Sequence, residues 1–350
     1  LRGKHFVVTG ANTGLGYVTT RELAKMGAKV TLACRSADKG KQAVDKIKAE
    51  ALEKPVQEVS EADETYSKFR KISCVWTQEW PHTAIFFQNL VPLSPHPLSR
   101  MTLALALGCA RVCRLTDVDV QVEVLDLGSL QSVVSFAQRF KTSGAKIDVL
   151  INNAGIMAIP ERRETVDGLE MQMGVNHFGG HLLTRLMEPM IVDGGRIVFL
   201  SSVLHSEVPG TGKITVEWDN INYEKPDTYA PWMSYGRSKL ANIFDAKEFA
   251  TRLAERGINT YAAHPGVVKT ELFRNVADSS MFSRITRSSL MKYLLVSPLT
   301  GALTQLRCAV DPALGAKELS GKYWANMKET QPSELASDPA NPPRFWDYTE

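Results

Sequence analysis

The chain has no run of about 18 apolar residues, the length a helix needs to cross a bilayer, so nothing in it reads as a membrane span. Cysteine is scarce. Five residues, irregularly spaced, exclude a disulfide framework or a zinc ribbon and point to a reducing intracellular compartment. Neither sign of charge prevails: 41 Lys and Arg against 38 Asp and Glu leave +3, too little to argue for a nucleic-acid partner. Glycine and proline are not enriched, at 24 and 17 residues, and 44% of the chain is hydrophobic. That composition excludes collagen-like, coiled-coil and wholly disordered proteins and leaves ample apolar residue for a core. At about 150 residues per domain, a length of 350 allows two domains. The chain opens at Leu1, inside what soon reads as a strand, so a leader, anchor or further module before it is neither indicated nor excluded.

What is present is an alternation. Lys4-His5-Phe6-Val7-Val8-Thr9 is β-branched and aromatic and ends at a glycine, which predicts a buried strand. A helical pattern follows over about 15–26, then a strand over 29–34 and a helix over 38–53. Apolar runs at 120–125, 147–151, 196–200 and 258–263 alternate with helical segments near 129–141, 167–190 and 235–256. Such alternation predicts right-handed crossovers and a parallel sheet covered by helices on both faces. The fold class is therefore α/β, a single doubly wound Rossmann domain over 1–330 instead of two domains. Residues from about 55 to 116 break the pattern: polar and acidic first, then aromatic and proline-rich through Trp76, Trp80 and Pro92. A long stretch of this kind is a poorly ordered insertion or a membrane- or partner-binding excursion, and the former is favoured. The last segment, 331–350, reads as a surface-coil tail anchored near Phe345-Trp346.

Chemistry concentrates at three places. Thr9-Gly10-Ala11-Asn12-Thr13-Gly14-Leu15-Gly16 lies between the first strand and first helix, where glycines let backbone approach a pyrophosphate resting on the helix N-terminus. The segment Leu32-Ala33-Cys34-Arg35-Ser36 ends the second strand, where an acid would bind the ribose 2′-hydroxyl of NAD(H). Arg35 offers a fork of donors suited to a 2′-phosphate, so NADP(H) is preferred over NAD(H), with Asp38 near enough to pair with Arg35 and soften that preference. Tyr235-Gly-Arg-Ser-Lys239 places a phenol and an ammonium one helical turn apart on one face. A nearby ammonium stabilises a phenolate and fits the tyrosine for proton transfer.

With these motifs in order, the chain resembles the short-chain dehydrogenase/reductase family. The resemblance rests on the glycine loop, Asp126-Leu127, Asn152-Asn153-Ala154-Gly155, Asn176, Ser201-Ser202, Tyr235-x3-Lys239 and Pro265-Gly266. The phrases around Cys34-Arg35, 235–242 and 264–270 are similar to the retinol dehydrogenase and WW-domain oxidoreductase branch. The resemblance implies Tyr235 as acid in carbonyl reduction and base in alcohol oxidation, with Ser202 holding the substrate oxygen beside it. Lys239 would stabilise the tyrosinate and bind the nicotinamide ribose, and Asn176 would hold a water linking Lys239 to solvent. Gly10, Asn12, Thr13, Gly14, Leu15, Gly16, Arg35, Asp126 and Leu127 would line the cofactor. So would Asn153, Ala154, Gly155, Pro265, Gly266, Val268 and Thr270, although Asn153 reads equally well as a sheet-supporting asparagine.

An apolar segment over 281–296, where this family places its substrate lid, suits a lipophilic substrate such as a retinoid, steroid or fatty aldehyde, or a helix packed on the domain. It also permits peripheral membrane contact. The resemblance allows a homodimer through the helices carrying Asn176 and Tyr235, and a location in the cytoplasm or on the cytosolic face of the endoplasmic reticulum. His177 and His181 stand at metal-binding spacing, but no third ligand is apparent, so no metal is expected. A serine hydrolase is disfavoured because no G-x-S-x-G elbow exists. The remaining rivals are a catalytically silent cofactor-binding regulatory or scaffold protein and a sugar-nucleotide epimerase on the same fold.

Overall fold

The computed structural model describes residues 1–53, 118–268 and 296–350. The 55–116 insertion, the apolar segment over 281–295 and Thr270 lie outside the described residues.

The first strand, β1 (His5–Thr9), is buried along its whole length, as its unbroken apolar and β-branched run requires of a central parallel strand. It pairs in parallel with β2 (Lys29–Cys34) on one side and β4 (Ile147–Asn152) on the other, with β3 (Val120–Val124) beyond β2. On the far side follow β5 (Ile191–Leu200), β8 (Asn259–His264), β9 (Lys322–Ala325) and an antiparallel β10 (Lys328–Glu329). The order β10-β9-β8-β5-β4-β1-β2-β3 reverses direction between β1 and β4. In doubly wound sheets a ligand crevice opens at such a reversal, beyond the carboxyl ends of the strands. A separate small hairpin joins β6 (Glu207–Val208) to β7 (Gly212–Lys213).

Helices cover both faces: α1 (Gly14–Lys25), α2 (Ala37–Glu53) and α3 (Leu130–Ser143) follow the first three strands. The next helix, α4, has three contiguous parts: α-helical Met171–Met173, π-helical Gly174–Phe178 and α-helical Gly179–Met187. It starts later than the expected 167, because the Glu170 carboxylate caps it, accepting from the Gln172 and Met173 amides. Helix α5 (Pro231–Arg252) places a proline in its first turn, where no amide hydrogen is needed. It is followed by α6 (Pro298–Val310).

The final segment departs from the coil read in the sequence. Glu334–Ser337 (α7) and Asn341–Thr349 (α8) are helical, with α8 opening on two prolines. Phe345 and Trp346 are buried in the main core, where Phe345 meets Phe244 and Trp346 meets Phe249, both on α5. Burial of two large rings outweighs the weak helix propensity of a proline-containing stretch. Among the described residues, no helix is long and apolar enough to cross a membrane.

Candidate active site

The glycine loop meets the β4 end at the reversal point. Gly10 has φ +63, and a Cβ there would stand 2.8 Å from the Ala154 Cα. A Cβ on Gly16 would lie 2.5 Å from Asn153 Nδ2 and 2.6 Å from Gly10 O, so both positions require glycine for close approach. Thr13 precedes α1 with extended backbone and no side-chain cap, so the first-turn amides of α1, from Gly14 and Leu15 onward, are not claimed by a capping side chain. The tight glycine loop thus leads into uncapped first-turn amides at the reversal point. The loop is held from below: Thr9 Oγ1 accepts from the amides of Asn153 (3.0 Å) and Ala154 (2.9 Å).

Arg35 follows β2 and is exposed. Among the described residues it forms no ion pair, so the anticipated pairing with Asp38 is not made. Asp126 lies past β3, with Oδ1 accepting from the Gly128 amide at 2.9 Å. The Leu127 side chain is buried in the core, and Val268 is buried beside Gly301. Leu15 packs on the core around β1 and β2. Asn153 Nδ2 donates to Thr9 O at 2.8 Å, and its Oδ1 accepts from Gln305 at 3.5 Å. Pro265 and Gly266 (φ +84) follow the β8 end.

Four elements bring the catalytic candidates together. Ser202 follows β5 and caps the 3-10 turn Val203–His205, accepting from the Leu204 amide at 3.2 Å. Tyr235 and Lys239 rise from α5, and the Tyr235 phenol is buried within the influence of Ser202. Lys239 Nζ lies 5.7 Å from the Tyr235 ring centre and donates to Leu200 O at 3.1 Å. Asn176 sits in the π-helical turn of α4, the kind of irregularity that often marks functional sites. Its amide clamps Ile156, accepting from N (2.8 Å) and donating to O (2.9 Å), and it also donates to Ser238 Oγ at 2.9 Å. Gly155 is wedged between Asn176 and Lys239: a Cβ there would lie 3.3 Å from both Asn176 Oδ1 and Lys239 Nζ.

Burial sets the electrostatics. It pushes the Tyr235 phenol up to about 12, with Ser202 opposing, and lowers the Lys239 ammonium to about 8. At neutral pH the phenol therefore holds its proton. The Tyr235 ring packs with Met157, Ala158, Leu204 and Trp232, an apolar cluster that has no period or motif to reveal it in the sequence.

Sequence reasoning also missed two supports. His205 Nδ1 lies 2.6 Å from Ser202 O, while its Nε2 accepts from the Ser333 amide at 3.0 Å, steadying the serine turn against the segment before α7. Asn242 Nδ2 donates to Leu200 O at 2.8 Å. Finally, the histidine pair does have a third group facing it. Asp245, nearly three turns beyond Tyr235 on α5, stands beside both His177 and His181, which the sequence separation concealed.

Fold and site define a dinucleotide-binding oxidoreductase with a tyrosine, serine and lysine at the crevice. The short chain dehydrogenase family matches residues 4–73, and the enoyl-(acyl carrier protein) reductase family matches residues 105–215. Human retinol dehydrogenase 12 is 33% identical over 351 aligned residues, covering 100% of this chain and 86% of that protein. Human retinol dehydrogenase 11 is 32% identical, covering 100% and 85%. A solved structure from Mycobacterium paratuberculosis, a putative uncharacterized protein, superposes with TM-score 0.61 at 28% identity, covering 100% and 92%. A landomycin C-6 ketoreductase with bound NADP and rabelomycin superposes with TM-score 0.55 at 18% identity, covering 93% and 95%, which shows the shared fold. The chain belongs to the short-chain dehydrogenase/reductase family, in its retinol dehydrogenase-like branch. It is accordingly a carbonyl/alcohol oxidoreductase of a family that uses NAD(P)(H).

Proposed function

We propose that the protein is an NADP(H)-dependent oxidoreductase that interconverts a carbonyl and an alcohol on a lipophilic small molecule, with Tyr235 as acid and base. The observation that carries this reading is the buried Tyr235 phenol, whose pKa burial raises and Ser202 lowers, with Lys239 one turn behind it and its Nζ 5.7 Å from the ring centre. The nicotinamide, when bound, supplies or accepts the hydride at the substrate carbon. Ser202 holds the carbonyl oxygen, and Tyr235 gives that oxygen its proton as the alcohol forms; the reverse reaction returns the proton to the phenolate. Lys239 has three donors, of which one goes to Leu200 O, leaving capacity for ribose hydroxyls. Asn176 keeps Gly155–Ile156 against that lysine.

Preference for the 2′-phosphate rests on Arg35, exposed at the β2 end and unclaimed by Asp38. The apolar cluster of Met157, Leu204 and Trp232 around the tyrosine supports a greasy substrate of the retinoid, steroid or fatty-aldehyde kind. The test is a fluorescence titration with NADPH and NADH, followed by reduction of a lipophilic aldehyde by the chain and by Tyr235→Phe. The expected result is tighter NADPH binding, turnover by the native chain, and loss of turnover with nucleotide binding intact in the variant. Near-full activity in Tyr235→Phe overturns the acid/base role, and no binding of either nucleotide overturns the enzyme reading.

A further inference from the structure

On the side of α4 and α5 that α8 covers, His177 and His181 both turn Nδ1 towards Asp245. His181 Nδ1 lies 2.8 Å from Asp245 Oδ1, and His177 Nδ1 lies 3.2 Å from Oδ2. All three side chains are buried, at 0%, 4% and 3% exposure, and one ligand atom from each falls within 4.8 Å of the others. The opposite ring nitrogens rest on α8 and the residue after it. His181 Nε2 lies 2.9 Å from Glu350 Oε1, and His177 Nε2 lies 3.1 Å from Thr349 Oγ1. Arg185 Nε in turn donates to Glu350 at 2.9 Å.

These partners favour one tautomer. The Thr349 hydroxyl donates to Phe345 O at 2.8 Å, so its oxygen accepts from His177 Nε2–H and the His177 Nδ1 lone pair faces the carboxylate. Neither His177 Nδ1 nor Asp245 Oδ2 has a hydrogen-bond partner. Two buried acceptors facing each other repel unless a cation or a proton lies between them.

We propose that His177, His181 and Asp245 form a binding site for one divalent transition-metal ion of the zinc class, which ties α8 to α4 and α5. Two imidazole nitrogens and a carboxylate are a donor set that suits zinc. Tetrahedral zinc with bonds of about 2.1 Å sets its ligand atoms about 3.4 Å apart, so the 2.8 and 3.2 Å contacts to Asp245 must open, and any wider pair within the 4.8 Å spread must close, to admit the ion. Glu350 and Thr349 then act as the outer acceptors that orient metal-bound histidines. Asp245 supplies one oxygen, and a water takes the fourth position of a tetrahedral ion.

The test strips the purified full chain with a chelator and titrates zinc chloride by calorimetry, with metal content measured after dialysis. One zinc per chain is expected, with affinity reduced at least about 100-fold by His181→Gln or Asp245→Asn and about 10-fold by Glu350→Gln. Cobalt(II) in place of zinc is expected to give d–d bands without thiolate charge transfer, separating this site from the cysteines. Glu350 is partly exposed, so its variant keeps the comparison informative if Asp245→Asn does not fold. The proposal fails if the native chain retains no zinc, if the Glu350 and His181 variants bind as tightly as the native chain, or if cobalt reports thiolate ligands. The first of these results would leave a proton between His177 and Asp245.

Discussion

Burial of Lys239 carries a cost in stability, and the cost can be measured. Burial lowers its ammonium from 10.5 to about 8, so the folded state binds that proton less tightly than the unfolded chain does. The unfolded chain therefore carries more protons between pH 8 and 10.5, and stability contributed at this site rises with pH through that window. At 1.36 kcal/mol per unit, the penalty is ~3 kcal/mol at pH 7 and ~1 kcal/mol at pH 9.5. Lys239→Met keeps most of the volume and removes the charge. Leu200 O stays satisfied, because Asn242 Nδ2 still donates to it at 2.8 Å. Loss of the Lys239 hydrogen bond offsets about 1 kcal/mol, so the variant should be more stable than the native chain by ~2 kcal/mol at pH 7. By pH 9.5 the two should be nearly equal. Urea unfolding of both proteins without nucleotide, at the two pH values, measures the difference. A variant less stable at pH 7, or a gap that does not shrink with pH, refutes the argument. Turnover should be lost in the variant at either pH, which would show stability given up for function.

Other expectations follow from the same geometry. Arg35→Glu should weaken NADPH binding at least about 10-fold and spare or improve NADH binding, read by fluorescence titration; equal loss for both nucleotides would remove the 2′-phosphate role. Gly10→Ala forces a side chain onto φ +63 and against Ala154, so it should lose about 1–3 kcal/mol by urea unfolding along with nucleotide binding. Native stability in that variant would show that the loop relaxes freely. Trp346→Ala should cost about 3–5 kcal/mol, because the ring is buried between α8 and α5; a change within about 0.5 kcal/mol would mean that α8 is not part of the cooperative core. Ser202→Ala should lower kcat with nucleotide affinity unchanged, since Ser202 meets Tyr235 and not the glycine loop; a change in nucleotide affinity alone would contradict that placement.

The alternation of apolar strands and amphipathic helices was enough to determine the doubly wound sheet, because strand and helix periods are local properties of the chain. The glycine loop and the Tyr235–Lys239 pair were legible for the same reason: one turn of helix fixes their shared face whatever surrounds them. Tertiary structure decided the rest. The partners of Asn153, Thr9 and Gln305, lie far away along the chain. Burial of Phe345 and Trp346 turned an apparent surface coil into a helix within the core, since packing overrides weak local propensity. Asp245 joined His177 and His181 only once α5 lay against α4. Periodicity shows which face of an element is apolar, but not which distant side chain that face will meet.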